Sequence, residues 1–251
     1  MGEEIPLAGG NVSDAVVRVG ETVRKPVGPQ TPAVEALLEH LIAAGIENVP
    51  RPLGRDEQGR QVLEYIPGTL AHQEPPLDPA GLHRIGRIAR ELHDAAADFL
   101  PPPDAAWDVL IPPDRAELIV HNDLAPWNLI RNGERWVVID WDAAGPGSRL
   151  WDLDYAATGF LPFTPDGDPG TDGPRLRALI DGYGLGEPER HDLAAMLGDH
   201  AHGMYELLVD GARTGTQPWA RLHAEGHADY WGPAAAYIRQ HRDGWLRSLL
   251  S

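Results

Sequence analysis

The hydrophobic rhythm of the chain changes once, near Gly68. Before it, short β-branched runs alternate with glycine-bearing breaks; after it, apolar residues recur at three- and four-residue spacing. "DAVVRVGETVRKPVG" carries two such runs on either side of Gly20-Glu21, the pattern of a hairpin, and "LAGGNVS" before it is a flexible glycine turn. In "TPAVEALLEHLIAAG" the apolar positions 34, 37, 38, 41 and 42 predict a helix, with Thr31 as its cap, Pro32 at its first position and Gly45 as its stop. "RPLGRDEQGRQVLEYIPG" predicts a second hairpin that ends at Pro67-Gly68.

Beyond that breaker, "DPAGLHRIGRIARELHDAA" places positions 82, 85, 88, 89 and 92 on one face of an amphipathic helix. A proline-rich connector, residues 101–113, leads to "HNDLAPWN"; "PRLRALIDGYG", "PERHDLAAMLGDHAHGMYELLVDGA" and "GPAAAYIRQHRDGWLRSLL" predict three more helices. The expected fold class is α+β with two lobes. A small β-rich N-terminal lobe with one helix takes residues 1–66, and a larger, mainly helical C-terminal lobe takes residues 67–251. A ligand cleft is expected between them.

Composition narrows the chemistry. The chain has 251 residues and no cysteine, which excludes disulfides, thiol nucleophiles and thiolate metal sites. No apolar run is long enough to span a bilayer and no basic-then-apolar signal opens the chain, so a cytoplasmic protein without a membrane partner is expected. A formal charge of −17 sets the chain against nucleic acid and suits a cationic partner. Its basic residues are all arginine except Lys25.

The candidate chemistry lies in "HNDLAPWN", residues 121–128, which reads as a polar turn, a metal site or a phosphotransfer loop. His121-x-Asp123 is half of a two-His-one-carboxylate iron site, but such sites usually sit on all-β barrels and strand signals here are few. Reading on, Asn132-Gly133 between "LIR" and "ERWVVI" predicts a two-residue hairpin turn. The hairpin returns the chain, so Asn128 and Asp140 lie toward one open end, with Asp123 just before it. An Asn carbonyl and an Asp carboxylate are hard ligands for magnesium, while a carboxylate off the metal orients a hydroxyl and accepts its proton. His121, Asp123, Asn128 and Asp140 follow the kinase pattern H-x-D-x-x-x-x-N, hairpin, Asp.

On these residues the chain resembles the aminoglycoside phosphotransferase and choline kinase group, small-molecule relatives of the protein kinases. The resemblance runs from "LAGGNVS" to "WDLDYAA". It implies a bilobal protein-kinase-like fold, ATP or GTP as phosphoryl donor and Mg²⁺ as cofactor. It makes Asp123 the catalytic base or hydroxyl-orienting residue, Asn128 and Asp140 the magnesium ligands and His121 a structural member of the loop. Asp152 in "WDLDYAA" becomes a brace, with a helix N-cap as the alternative. Ala125 replaces the phosphate-contacting lysine of serine/threonine protein kinases, and no long activation segment follows "IDWD". Both departures favour a small acceptor over a protein.

For the nucleotide, the resemblance points to Gly9, Gly10, Asn11 and Ser13 in the phosphate-covering loop. The phosphate-contacting cation falls at Arg24 or Lys25, with Arg24 preferred. Its acidic partner is expected on the following helix at Glu35, nearer the expected place than Glu39; a solvated helix face is the alternative. "VLEYIPG" resembles the hinge, with main-chain groups near Glu64, Tyr65 and Ile66 at the adenine edge.

For the acceptor, Asp199, His202, Glu206 and Asp210 recur at helical spacing, and Asp154, Asp181 and Asp192 add negative charge. Trp151, Trp219, Trp231 and Trp245 are candidates for a cation-binding wall. A solvated stripe and packing tryptophans are the plainer readings. His191, His200 and His202 lack a zinc pattern and are read as helix-surface residues. The function expected is nucleotide-dependent O-phosphotransfer to a small hydroxylated, cationic molecule. That acceptor is an aminoglycoside, another antibiotic, or a metabolite such as an amino alcohol or sugar. The alternative is an inactive nucleotide-binding relative.

Overall fold

Val17–Val19 (β2) and Thr22–Lys25 (β3) form the first hairpin, turning through Gly20-Glu21 with Gly20 at φ 60°. Positive φ at the first turn residue is open to glycine without a Cβ penalty. The computed structural model describes residues 3–7, 16–161 and 163–251, so Gly9, Gly10, Asn11 and Ser13 lie outside the described residues. Glu4–Pro6 (β1), which the hydrophobic pattern does not announce, pairs with β2. Pro52–Arg55 (β4) and Gln61–Glu64 (β5) make the second hairpin. The resulting antiparallel sheet runs β1-β2-β3-β5-β4.

Between these hairpins lies Thr31–Ala43 (α1), which buries Val34, Leu37, Leu38 and Leu41. Thr31 is already helical; its hydroxyl accepts the Gly28 N–H at 2.9 Å, so it closes the preceding turn and does not cap the helix.

Past Thr69–Leu70 (β6), the chain turns helical. In Pro79–Ala96 (α2), Asp78 caps the first turn by accepting the Gly81 N–H at 2.8 Å, and Leu82, Ile85, Ile88, Ala89 and Leu92 are buried. Gly86 lets α2 lie against the main chain of Pro169–Tyr183 (α4), and Gly182 of α4 returns the fit. Leu118–Val120 (β7) delivers the motif loop, followed by Leu129–Asn132 (β8) and Arg135–Val138 (β9). Their turn is Gly133-Glu134, one residue later than the sequence reading, because Asn132 pairs with Arg135 and Gly133 takes φ 54°. β6 pairs with β8, and Gly145–Gly147 (β10) folds back on β7.

Arg149–Phe160 (α3) follows, capped by Ser148, whose hydroxyl accepts the Trp151 N–H at 3.1 Å. The expected single helix beyond α4 is two, Glu187–Met196 (α5) and Asp199–Thr214 (α6), broken at Gly198 with φ 90°. The C-terminal segment is likewise divided, into Ala228–Gln240 (α8) and Arg242–Leu250 (α9), after the short Trp219–Ala224 (α7). One continuous core links Leu37 and Leu41 of α1, Ile85 of α2, Leu153 of α3, Leu179 of α4 and Ile238 and Trp245 near the C-terminus. No helix among the described residues is long and apolar enough to cross a membrane.

Candidate active site

The motif loop connects β7 to β8 and is fixed from within. The Asp123 N–H donates to His121 Nδ1 at 3.2 Å, which makes Nε2 the protonated nitrogen, and Nε2 donates to the Ile139 carbonyl at 3.1 Å. Both ring nitrogens of His121 are engaged within the loop, so neither is available to the iron site considered above. Ala125 is fully buried, and a Cβ on Gly159 of α3 would come within 2.9 Å of its Cβ. A phosphate-contacting lysine has no room there.

Asp123 is the best-anchored side chain of the loop. Its Oδ1 accepts from the Tyr155 hydroxyl at 2.6 Å and from Trp127 Nε1 at 3.1 Å, and its Oδ2 accepts from Asn128 Nδ2 at 2.7 Å. Burial pushes its carboxyl above the ordinary range, against the pull of the Tyr155 hydrogen bond. The Asn128 amide nitrogen also donates to the Asp123 carbonyl at 2.9 Å. With its NH₂ turned to Asp123, Asn128 offers the opposite end, its carbonyl oxygen. The Ile139 N–H donates to the Asn128 carbonyl of the main chain at 2.8 Å, which brings Asp140 beside Asn128 as the hairpin reading requires.

Asp152 braces this loop from α3. Its Oδ1 accepts the N–H of Asn122, a residue at φ 62°, at 2.7 Å, and its Oδ2 lies 3.0 Å from His93 Nε2 of α2. The N-cap alternative fails because Ser148 holds that place.

Of the two candidate cations it is Lys25, and not the preferred Arg24, that reaches the aspartates after the hairpin. Lys25 Nζ sits 2.9 Å from Asp140 Oδ1 and 2.7 Å from Asp142 Oδ2. Adjacent strand residues face opposite ways, so Arg24 points elsewhere, with its Nε 3.5 Å from Asp56 and its guanidinium donating to Thr22 Oγ1 at 2.5 Å. Burial disfavours the Lys25 ammonium, but the two carboxylates outweigh it and raise its pKa. Asp140 itself takes the left-handed conformation, φ 57° and ψ 69°.

Glu35 does not partner this lysine. Its carboxylate is held by Arg55 and by Gln61 Nε2, the latter at 3.0 Å. Glu64 is tied to Arg135 at 2.9 Å, the Tyr65 N–H donates to the Glu21 carbonyl at 3.1 Å, and Ile66 is buried.

The acidic stripe is largely neutralised by its own neighbours. Asp199 pairs with Arg239 at 2.9 Å, Asp210 with Arg213 at 2.8 Å and Asp181 with Arg190 at 2.8 Å. His202 and the exposed Glu206 stand 3.8 Å apart on α6. Asp154 is fully buried and accepts the N–H groups of Gly198 and His200, so it anchors the start of α6. Trp245 is core, whereas Trp231 stacks on Tyr155 at 6.0 Å. His200 is not on the surface: it is buried between Trp151 and Tyr155, and burial lowers its pKa to about 4. Trp127, Tyr155 and Asp142 are the site residues that sequence reasoning missed. "IDWD" held a signal for Asp142; Trp127 lies within the motif loop and depends on how that loop turns, and Tyr155 depends on how α3 is rotated against it.

An anchored carboxylate beside an asparagine carbonyl and a lysine-bridged pair of aspartates offers an acceptor for a hydroxyl proton and hard oxygens for a cation. Residues 104–194 match the phosphotransferase enzyme family, APH. The chain is 34% identical over 209 residues to the trifolitoxin immunity protein of Rhizobium leguminosarum bv. trifolii, spanning 76% of this chain and 77% of that one. Among solved structures it is similar to a choline/ethanolamine kinase family protein from Mesorhizobium loti, with TM-score 0.66 and 16% identity over 99% of this chain and 92% of the other. It is similar also to amicoumacin kinase hAmiN in complex with AMP-PNP, Ca²⁺ and Ami, with TM-score 0.64 and 14% identity over 96% and 88%. The chain belongs to the phosphotransferase enzyme family and has its bilobal, protein-kinase-like fold.

Proposed function

We propose that the chain transfers the γ-phosphoryl group of ATP or GTP to a hydroxyl of a small molecule in the cytoplasm, and that this molecule is an antibiotic. The observation that carries the reading is the joint placement of Asp123, Asn128 and Asp140 at one end of the β8–β9 hairpin, with Lys25 bound there. Residues 1–66 would hold the nucleotide and residues 67–251 the catalytic loop and acceptor.

The donor set fits magnesium: hard oxygens only, at a place where two carboxylates already hold a positive charge, the Lys25 ammonium. Asn128 and Asp140 would hold the ion, which supplies charge neutralisation at the phosphates when bound. Lys25 faces the same end of the site and is the candidate for contact with the phosphate oxygens. Asp123 orients the acceptor hydroxyl and receives its proton as the new oxygen–phosphorus bond forms and the bond to the leaving nucleoside diphosphate breaks. The net charge of −17 favours a cationic acceptor, and the immunity role in the name of the Rhizobium relative favours an antibiotic over a metabolite.

Asp123→Asn tests this reading. Transfer to an acceptor panel of ethanolamine, an aminoglycoside and a peptide antibiotic is measured beside calorimetric binding of Mg-ATP and Mg-GTP. The variant is expected to lose roughly 10²–10⁴-fold in transfer while binding nucleotide within a few-fold of wild type. Wild-type transfer by the variant refutes the role of Asp123.

A further inference from the structure

We propose that Tyr155 is a positioning residue for phosphotransfer: its hydroxyl pins one oxygen of the Asp123 carboxylate so that the other faces the acceptor. The proposal rests on the reading of Asp123 as the acceptor-orienting group.

The argument begins with lone pairs. An ionised carboxylate offers four acceptor positions, two on each oxygen. On Asp123, Tyr155 and Trp127 take both positions on Oδ1, and Asn128 takes one on Oδ2. The position left is on Oδ2, and it fixes the direction from which an acceptor hydroxyl is oriented. The terminal torsion of an aspartate is broad, so its rotamer preference does not set this direction. Hydrogen bonds must do so.

Of the two donors on Oδ1, Tyr155 is the firmer. Trp127 is 37% exposed, at the surface, and bonds at 3.1 Å; Tyr155 is 4% exposed and bonds at 2.6 Å. The Tyr155 ring is held by Trp231, stacked at 12° and 6.0 Å, and by His200, centred 4.3 Å away. The next residue back, Asp154, binds the N–H groups of Gly198 at 2.8 Å and His200 at 2.9 Å, so α3 itself fixes the ring that backs Tyr155. Burial keeps the Tyr155 hydroxyl protonated, hence a donor.

Tyr155→Phe removes the hydroxyl and keeps the stack. ADP release from Mg-ATP, with water, ethanolamine or spectinomycin as acceptor, should fall in kcat between about tenfold and a hundredfold, with KM for Mg-ATP within about twofold. A crystal structure of the variant should show the Asp123 carboxylate rotated or in two orientations. In an Asp123→Asn background, Tyr155→Phe should cost nothing further, because the carboxylate it positions is gone. A merely structural role predicts the same cost in both backgrounds. An unchanged single orientation of Asp123 in the variant crystal overturns the proposal whichever acceptor is used. So does a wild-type kcat in Tyr155→Phe, or an equal loss in the Asp123→Asn background. Full transfer by Asp123→Asn alone refutes instead the reading on which the proposal rests.

Discussion

Replacing Asp152 by alanine tests whether the α3 brace is structural in the way its bonds imply. The carboxylate is 2% exposed and serves two donors, the Asn122 N–H at 2.7 Å and His93 Nε2 at 3.0 Å. Truncation strands both in a buried place, at about 1–3 kcal/mol each, so the sum is roughly 4 kcal/mol. For a chain of this size each kcal/mol moves the melting temperature by about 2–4 °C, which predicts a fall on the order of 10 °C. His93→Ala removes one of the same bonds, so the double variant should be less destabilised than the sum of the singles by about 0.5–3 kcal/mol. The pH dependence has a definite sign. Burial alone would raise the Asp152 pKa, but the hydrogen bonds from His93 and from the Asn122 N–H hold it below the ordinary value. Its contribution is thus complete above the unfolded carboxyl pKa, near 4, and is lost as pH falls through the lower folded value. Calorimetric melts of the four proteins at neutral and acidic pH provide the readout. A melt of Asp152→Ala within 2 °C of wild type, or strict additivity with His93→Ala, refutes the reasoning.

Other outcomes follow from the same geometry. Lys25→Ala should lower transfer on the order of a hundredfold, while Arg24→Ala stays within a few-fold; steady-state kinetics that reverse this order would mean that the β3 register is wrong. Asp140→Ala should abolish the magnesium dependence of nucleotide binding, read by calorimetry with and without Mg²⁺, and equal affinities would remove Asp140 from the site. Burial pushes Asp154 up to about 7 against the N–H groups of His200 and Gly198. The folded state then favours its protonated form, so the associated stability is present at low pH and lost as pH rises through about 7. The melting temperature of wild type relative to Asp154→Asn should therefore decline between pH 4 and 8; a constant difference would contradict it.

The catalytic loop was legible because its chemistry is written in spacing. Asp123 and Asn128 must lie five residues apart to meet over one turn, and a glycine turn must then return Asp140, so residue type and number both carry information. What failed was which face a residue takes. Arg24 and Lys25 alternate across β3, and what places Lys25 at the site is its pairing with Asp140 and Asp142, far along the chain, which local spacing does not encode. The isolated lysine among arginines was the available signal. Glu35 was placed by helix position, but its fate was set by Arg55 and Gln61 on the neighbouring strands. The periodicity of "PERHDLAAMLGDHAHG" runs on through Gly198, yet the chain breaks there so that α6 can present its first N–H groups to Asp154. Apolar spacing carries no trace of that demand.

The contacts of α3 show why this helix governs the site. Asp152 and Tyr155 are one turn apart, and they grip consecutive loop residues: Asp152 the main chain of Asn122, Tyr155 the side chain of Asp123. Asp154, between them in sequence, points to another side and fixes α6. Both carboxyl groups are buried, polar and costly to stability unless matched by hydrogen bonds. A fold needing only a stable helix here would be better served by apolar residues at 152 and 154. Their presence is accounted for by position: Asp152 holds the main chain of Asn122, next to Asp123, and Asp154 holds the main chain of His200, whose ring confines Tyr155, the donor to the Asp123 carboxylate. The orientation of one carboxylate is thus determined through three residues of a single helix.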